Sequence, residues 1–243
     1  QYDQAALRAQ SVRLASAQGV NARAVAEHAM ALILALTRRL PEARDNRTKR
    51  AWRGMIGDLT QREDELGGKT LLIVGLGRIG GRLAQLARAF DLHVIGVRRD
   101  PARGPNGADE VHGLAALPTL LPGADIVALT CPLTPETENL IDAAALGLMR
   151  PSAFLVNAAR GRCVDENALV AALTQGRIAG AALDVTRDEP LPAASPLWAL
   201  ANVLITPHTA GETRRYEGNV LDLLMDNLDR LWRRETALSN QVV

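Results

Sequence analysis

Three observations predict a doubly wound α/β fold, a parallel sheet with helices on both faces. From Gly67 onward, short apolar runs alternate with helical stretches, the pattern of strands joined by crossover helices. The run LLIV at 71–74 leads into Gly75, Gly77 and Gly80, and a helical pattern then continues through Leu83, Leu86, Ala87 and Phe90. Polar residues gather just after several of the strands, where sheets of this kind bind their ligands.

In chain order, residues 11–17 (SVRLASA) read as a short strand, and Asn21 as the cap of a long helix over 22–40. Val25, Ala29, Ile33, Leu36 and Leu40 give that helix its apolar stripe before Pro41. Strands are predicted at 70–74, 92–97, 125–130, 153–157, 179–184 and 202–206. Helices are predicted at 78–90, 114–121, 142–148, 165–175 and 212–234. The basic run Arg38–Arg50, interrupted by Glu42 and Asp45, reads as a solvated helix face.

The glycine spacing G-x-G-x-x-G between strand and helix is that of a Rossmann dinucleotide site. Gly75 allows the tight turn, Gly77 lets backbone approach a pyrophosphate, and Gly80 lets helix pack on strand. Arg78 and Ile79 open the helix, whose N-terminus offers unpaired N–H groups and partial positive charge to phosphates.

The 243 residues are 47% hydrophobic, enough to bury a full core, and the net charge is +1. That balance gives no electrostatic reason to expect nucleic acid or an anionic membrane as partner. No apolar run approaches the roughly 20 residues of a membrane span. Two cysteines, Cys131 and Cys163, make no disulfide framework, and the expected compartment is the cytoplasm. No His/Cys/Asp spacing points to a metal.

The strand ends are rich in candidates: Thr130-Cys131-Pro132-Leu133-Thr134, then Asn157-Ala158-Ala159-Arg160-Gly161, then Asp184 with Glu189-Pro190, then Thr206 to Gly211 around His208. An arginine, a carboxylate and a histidine on one rim suit hydride transfer to or from an α-hydroxy acid. His28, inside the first long helix, reads as structural. His93 and His112 have no catalytic partner visible in sequence, and Cys131, before Pro132, reads as lining and not as a nucleophile.

With these residues in view, the sequence resembles the D-isomer-specific 2-hydroxyacid dehydrogenases. The likeness runs from VNARAVAEHAMALILALTRRLP (20–41) through GKTLLIVGLGRIG, DIVALTCPLTPET, FLVNAARGRCVDENALVAAL, IAGAALDVTRDEPLP and SPLW to TPHTAG (206–211). It implies that Arg160 binds the substrate carboxylate, that His208 is the acid/base, and that Glu189 pairs with His208. A guanidinium grips a carboxylate bidentately, and a histidine exchanges protons near neutral pH. It also implies cofactor contacts from Cys131, Pro132, Thr137, Ala158, Ala159, Arg160, Asp184, His208, Ala210 and Gly211.

Cofactor choice follows from the end of LHVIGV, where an acidic residue would bind the ribose 2′-hydroxyl of NAD. Here Arg98 and Arg99 stand there, and guanidinium groups favour a 2′-phosphate, so NADP(H) is expected ahead of NAD(H). Asp100 lies beyond the strand end, before Pro101. By resemblance, residues 1–20 are a remnant of a flavodoxin-like substrate domain, and 21–211 form the dinucleotide-binding domain. Residues 212–243 are then a helix and tail returning to the substrate domain, most of which is absent, so that turnover by this chain alone is not expected.

The expected reaction is reduction of a small 2-oxo acid such as glyoxylate or hydroxypyruvate. A phosphoglycerate dehydrogenase-like enzyme and a non-catalytic cofactor-sensing dimer scaffold are the alternatives. The resemblance also implies a homodimer formed through the helix at 22–40 and the arm around Trp52.

Overall fold

The computed structural model describes residues 2–243, which form two compact units. The larger, Val25–Ala210, contains one seven-stranded sheet. Its strands are β1 (Thr70–Val74), β2 (His93–Val97), β3 (Glu110–His112), β4 (Ile126–Leu129), β5 (Phe154–Asn157), β6 (Gly180–Leu183) and β7 (Val203–Ile205). All pair in parallel, in the order β3-β2-β1-β4-β5-β6-β7, so the order reverses between β1 and β4.

Side chains alternate along each strand, and here both faces are covered. Leu72 and Val74 of β1 join Val127 and Leu129 of β4 and Leu155 of β5 in one apolar core; Leu71, Ile73, Ile126, Ala128 and Val156 enter the other. Each fully buried Leu, Ile or Val in these layers contributes about 1.5–3 kcal/mol of transfer free energy.

After α1 (Gln4–Ala9) come α2 (Ala22–Thr37), α3 (Leu40–Thr48), α4 (Arg78–Arg88), α5 (Leu117–Leu120), α6 (Ala143–Leu148) and α7 (Glu166–Thr174). From α4, Gly80, Leu83, Ala84 and Ala87 face the second core, the i, i+3, i+4, i+7 stripe of an amphipathic helix. The buried stripe of α2 (Val25, Ala26, Ala29, Met30, Leu32, Ile33) enters the same core. Ala145 and Leu146 of α6 and Leu169, Ala172 and Leu173 of α7 cover the opposite face.

The predicted helix over 22–40 ends earlier, at Thr37. Arg39 adopts a left-handed conformation (φ 49°) that breaks it, and Pro41 sits in the first turn of α3, where its missing N–H costs nothing. No α3 residue is buried, as a solvated face requires. The helix expected at 114–121 is a four-residue α5 between two 3-10 turns, with Pro118 and Pro122 in the run. β3, only three residues long and at the sheet edge, is a seventh strand beyond the six predicted.

In the smaller unit, residues up to Ala24 with Gly211–Val243, α8 spans Tyr216–Trp232, four residues shorter at its start than predicted. The strand expected at 11–17 is a correction: only an isolated antiparallel bridge, Ala15 with Gln241, forms there. Backbone bonds Leu14 N to Val243 O (3.1 Å) and Val242 N to Leu14 O (2.7 Å) tie the tail to that segment. A lone pair of short segments without a sheet to join does not extend further. Among the described residues no helix is long and apolar enough to cross a membrane.

Candidate functional site

The turn after β1 is built by steric necessity. Gly75 has φ 106°, and a Cβ there would lie 2.4 Å from the Cys131 backbone nitrogen, so only glycine fits. A Cβ on Gly80 would meet Gly75 O at 2.4 Å and Ile73 at 3.1 Å, which is why helix and strand come so close. Thr130 Oγ1 donates to Gly75 O at 2.9 Å and fastens the turn to the end of β4. Gly77, the N-cap of α4, differs: a Cβ there meets nothing within 4 Å, and no side chain caps the helix. An open cradle over uncapped N–H groups, at the start of an eleven-residue helix, fits a pyrophosphate. Arg78 and Ile79 form the first turn of that helix.

Beyond β2, Arg98 is half-buried and its Nη1 donates to Gly104 O at 3.0 Å, while Arg99 is exposed. Asp100 Oδ1 accepts the Ala102 N–H at 3.1 Å and caps the following 3-10 turn. Asn106, which the sequence did not single out, donates to Gly77 O at 2.8 Å and so lays its loop against the glycine turn.

In the loop after β4, Cys131 is buried, and its hydrogen bond with Cys163, together with burial, pushes its thiol above the ordinary range. A thiol held protonated is a poor nucleophile. The Thr137 hydroxyl accepts the Thr134 N–H (2.7 Å) and donates to Pro132 O (2.7 Å), so it staples the loop from inside.

After β5, Asn157 is buried and shapes the next turn. Its Oδ1 accepts the Ala159 N–H and its Nδ2 donates to Arg160 O, both at 3.0 Å. Ala158 and Ala159 are buried, whereas Arg160 projects outward and its Nη1 donates to Ala159 O at 2.6 Å. Among the described residues no carboxylate pairs with the Arg160 guanidinium.

After β6 come Asp184 and the Thr186–Glu189 turn; after β7 comes His208. Glu189 Oε1 accepts the Thr186 N–H at 3.1 Å, and Glu189 Oε2 accepts from His208 Nδ1–H at 2.6 Å. A carboxylate only accepts, so the Nδ1 proton is committed to Glu189, and Nε2 is the nitrogen left to exchange one. His208 itself sits at φ 55°.

Asp184 is 2% exposed. Burial pushes its carboxyl up, but bonds from His28, Thr206 and the backbone N–H groups of Ala210 and Thr209 outweigh this and hold it down at about 2. Ala210 is buried beside it, donating at 3.1 Å. Gly211 falls in the smaller unit, where a Cβ would meet Asn21 at 2.5 Å.

Arg160, Glu189 and His208 thus follow three adjacent parallel strands, at their C-terminal ends. His93 and His112 stand at the far edge, both bonded to Glu110 (2.9 and 3.2 Å). The sequence reading missed the partner of His28, whose Nε2 lies 2.9 Å from Thr206 Oγ1. One signal was available: at three residues from Val25 and four from Leu32, His28 is on the buried face of its helix, where a polar ring needs a partner. Among the described residues no group of three or more His, Cys, Asp or Glu is placed to hold a metal ion.

The chain is similar to several named proteins. Glyoxylate/hydroxypyruvate reductase B of Citrobacter koseri is 41% identical over 230 residues, 93% of this chain and 70% of the relative. D-3-phosphoglycerate dehydrogenase of Mycobacterium tuberculosis is 41% identical over 206 residues, 84% of this chain but 38% of that longer protein. Among solved structures, a D-isomer specific 2-hydroxyacid dehydrogenase from Xanthobacter autotrophicus Py2, in complex with NADPH and MES, superposes with a TM-score of 0.81. It is 33% identical, with 96% of this chain and 92% of that one covered. The family model for the NAD binding domain of the D-isomer specific 2-hydroxyacid dehydrogenases matches residues 30–210, nearly the whole of the larger unit, and the chain belongs to that family.

Proposed function

We propose that this protein transfers a hydride between NADP(H) and a small 2-oxo or 2-hydroxy acid of the glyoxylate and hydroxypyruvate class. The observation that carries the reading is the 2.6 Å bond from His208 Nδ1 to Glu189 at the same sheet rim as the outward guanidinium of Arg160. Arg160 binds the substrate carboxylate and sets the orientation of the neighbouring carbonyl. His208 Nε2 gives a proton to the carbonyl oxygen in reduction and takes it from the alcohol in oxidation. Glu189 keeps the ring turned and stabilises the imidazolium. The nicotinamide, when bound, supplies or accepts the hydride.

The open cradle at Gly77 and the uncapped start of α4 would hold the pyrophosphate, with the adenosine ribose toward Arg98 and Arg99. The two arginines, with Asp100 engaged in its own turn, favour a 2′-phosphate, in keeping with the NADPH bound by the Xanthobacter relative. The loop after β4 (Cys131, Pro132, Thr137), Ala158, Ala159, Asp184 and Ala210 line the remainder. The Mycobacterium relative supports phosphoglycerate as a second substrate candidate.

We place the enzyme in the cytoplasm, on its two buried free cysteines, and read it as a homodimer. Trp52 and Met55 are more than 90% exposed on the arm after α3, beside a cleft of about 580 Å³ lined by Arg38, Arg47 and Arg50. Such apolar exposure calls for a second surface. On α8 an exposed stripe of Leu221, Leu224, Met225, Leu228, Leu231 and Trp232 likewise fits the reading that 212–243 pack on a substrate domain.

Titration with NADPH and NADH, followed by nicotinamide fluorescence, tests the cofactor site. Reduction of glyoxylate and hydroxypyruvate by the full-length protein tests the chemistry. NADPH-dependent turnover is expected. An inert protein that binds a macromolecular partner only with cofactor would select the scaffold reading instead.

A further inference from the structure

The buried cluster behind His208 contains a residue with no assigned role. Thr206 Oγ1 donates to Asp184 Oδ1 at 2.6 Å, and a hydroxyl has one hydrogen to give. The 2.9 Å contact between Thr206 Oγ1 and His28 Nε2 is therefore a bond in which His28 donates, which assigns the proton to Nε2. The same N–H lies 3.4 Å from Asp184 Oδ1.

Asp184 in turn suspends the whole turn after β7. Its Oδ1 accepts the Thr209 N–H (3.0 Å), its Oδ2 the Ala210 N–H (3.1 Å), and its backbone carbonyl the His208 N–H (2.7 Å). His208 is held there at φ 55°, a left-handed conformation that a non-glycine residue keeps only where its surroundings over-determine it. His28 is the member of this cluster supplied by a helix, whereas Asp184 and Thr206 follow the neighbouring strands β6 and β7. His28 stands on α2, whose neighbouring Val25, Ala29 and Leu32 are locked in the core.

We propose that His28 is a positioning residue for His208, fixing the Thr206 hydroxyl and the Asp184 carboxylate so that the 206–210 turn presents the imidazole to Glu189. This rests on the reading of His208 as the acid/base. His28 touches none of the reacting atoms, so its effect must pass through the turn.

The sequence has four histidines, so ring signals can be assigned by substitution in protein labelled with 15N-histidine. The readout is the His208 Nδ1–H resonance, which a 2.6 Å bond to a carboxylate shifts downfield and shields from exchange. In His28→Phe this resonance should broaden or disappear while circular dichroism remains that of the folded protein. His28→Gln, whose side-chain amide can donate to Thr206, should restore it. Thr206→Val cuts the same relay without touching α2 and should also lose the resonance, which covers the case in which His28→Phe does not fold. An unchanged His208 resonance in a folded His28→Phe or Thr206→Val overturns the proposal, even if the melting temperature falls. Titration of the same samples with NADPH is a separate readout: absence of binding in the parent protein would sink the oxidoreductase reading and leave the His208 resonance free to answer for the relay.

Discussion

The turn after β1 and the turn after β7 both end strands of one sheet and both adopt backbone that ordinary residues avoid, yet they are specified in different ways. Gly75 takes φ 106° because it lacks a side chain, and the constraint is steric and local: a Cβ would collide with Cys131. His208 takes φ 55° with a full side chain, because Asp184, Thr206 and the Thr209 and Ala210 amides hold it there. A glycine turn is therefore written in contiguous letters. A hydrogen-bonded turn is written in residues scattered along the chain, the most distant being His28, 178 positions from Thr206.

The difference predicts where each turn breaks. In the full-length protein His208→Ala should show the largest effect, a loss of roughly 10³-fold in kcat, the usual worth of a positioned acid/base, with little change in cofactor affinity. Its ring is exposed, so urea unfolding should move by less than about 1 kcal/mol. A kcat within a few-fold of the parent would remove the acid/base assignment. Gly75→Ala should do the opposite and damage the fold itself. Strain at positive φ and overlap with Cys131 together cost about 3 kcal/mol, read as a lower urea midpoint, with cofactor affinity lost alongside. An alanine variant of parent stability would show that the β4 end yields to a methyl group.

Acid titration sharpens the contrast, because only the second turn depends on a carboxylate. The Asp184 pKa is about 2 in the folded protein, below the ordinary aspartate value of 3.8, so its contribution is complete above pH 4 and is lost as pH falls toward 2. The shift corresponds to about 2 kcal/mol. Thermal unfolding of the parent and of Asp184→Asn should therefore differ by a constant amount between pH 5 and 7, and the gap should close below pH 4. A gap that stays constant down to pH 2 would mean that the carboxylate charge is not what holds the turn.

These two kinds of specification explain what could be read from the sequence. Strands β1, β2, β4, β5, β6 and β7 were legible to within a residue or so at each end, since apolar runs bounded by turns report burial on both faces. The 11–17 run was misread because β-like composition does not say whether a neighbouring strand exists, and here only the Ala15–Gln241 bridge does. The candidate site divided along the same line. Gly75 and Gly80 announce themselves by spacing, and Arg160, Glu189 and His208 by their place after consecutive strands. The jobs of Asn157, Asn106 and His28 depend on which carbonyl, amide or hydroxyl they meet in space, which no local pattern records.

The smallest expected effect concerns the nucleotide end of the sheet, where one side chain has both a local and a ligand-directed use. Arg98 donates to Gly104 O, so part of its guanidinium shapes the loop that also carries Asn106 toward the glycine turn. A guanidinium has five N–H donors, and one bond to a carbonyl leaves others for an anion. Arg98→Asp removes the attraction for a 2′-phosphate and adds a carboxylate that repels it and accepts from a ribose hydroxyl. The ratio of NADPH to NADH affinity should then fall by about tenfold or more, roughly 1.4 kcal/mol, enough to invert a modest preference. Fluorescence titrations at two salt concentrations separate the causes. A charge effect on NADPH alone weakens at high salt, whereas collapse of the Gly104 clasp would weaken both nucleotides alike at either concentration. If both affinities fall together, Arg98 belongs with the locally written residues that build the turn, and Arg99 becomes the residue that reads the phosphate.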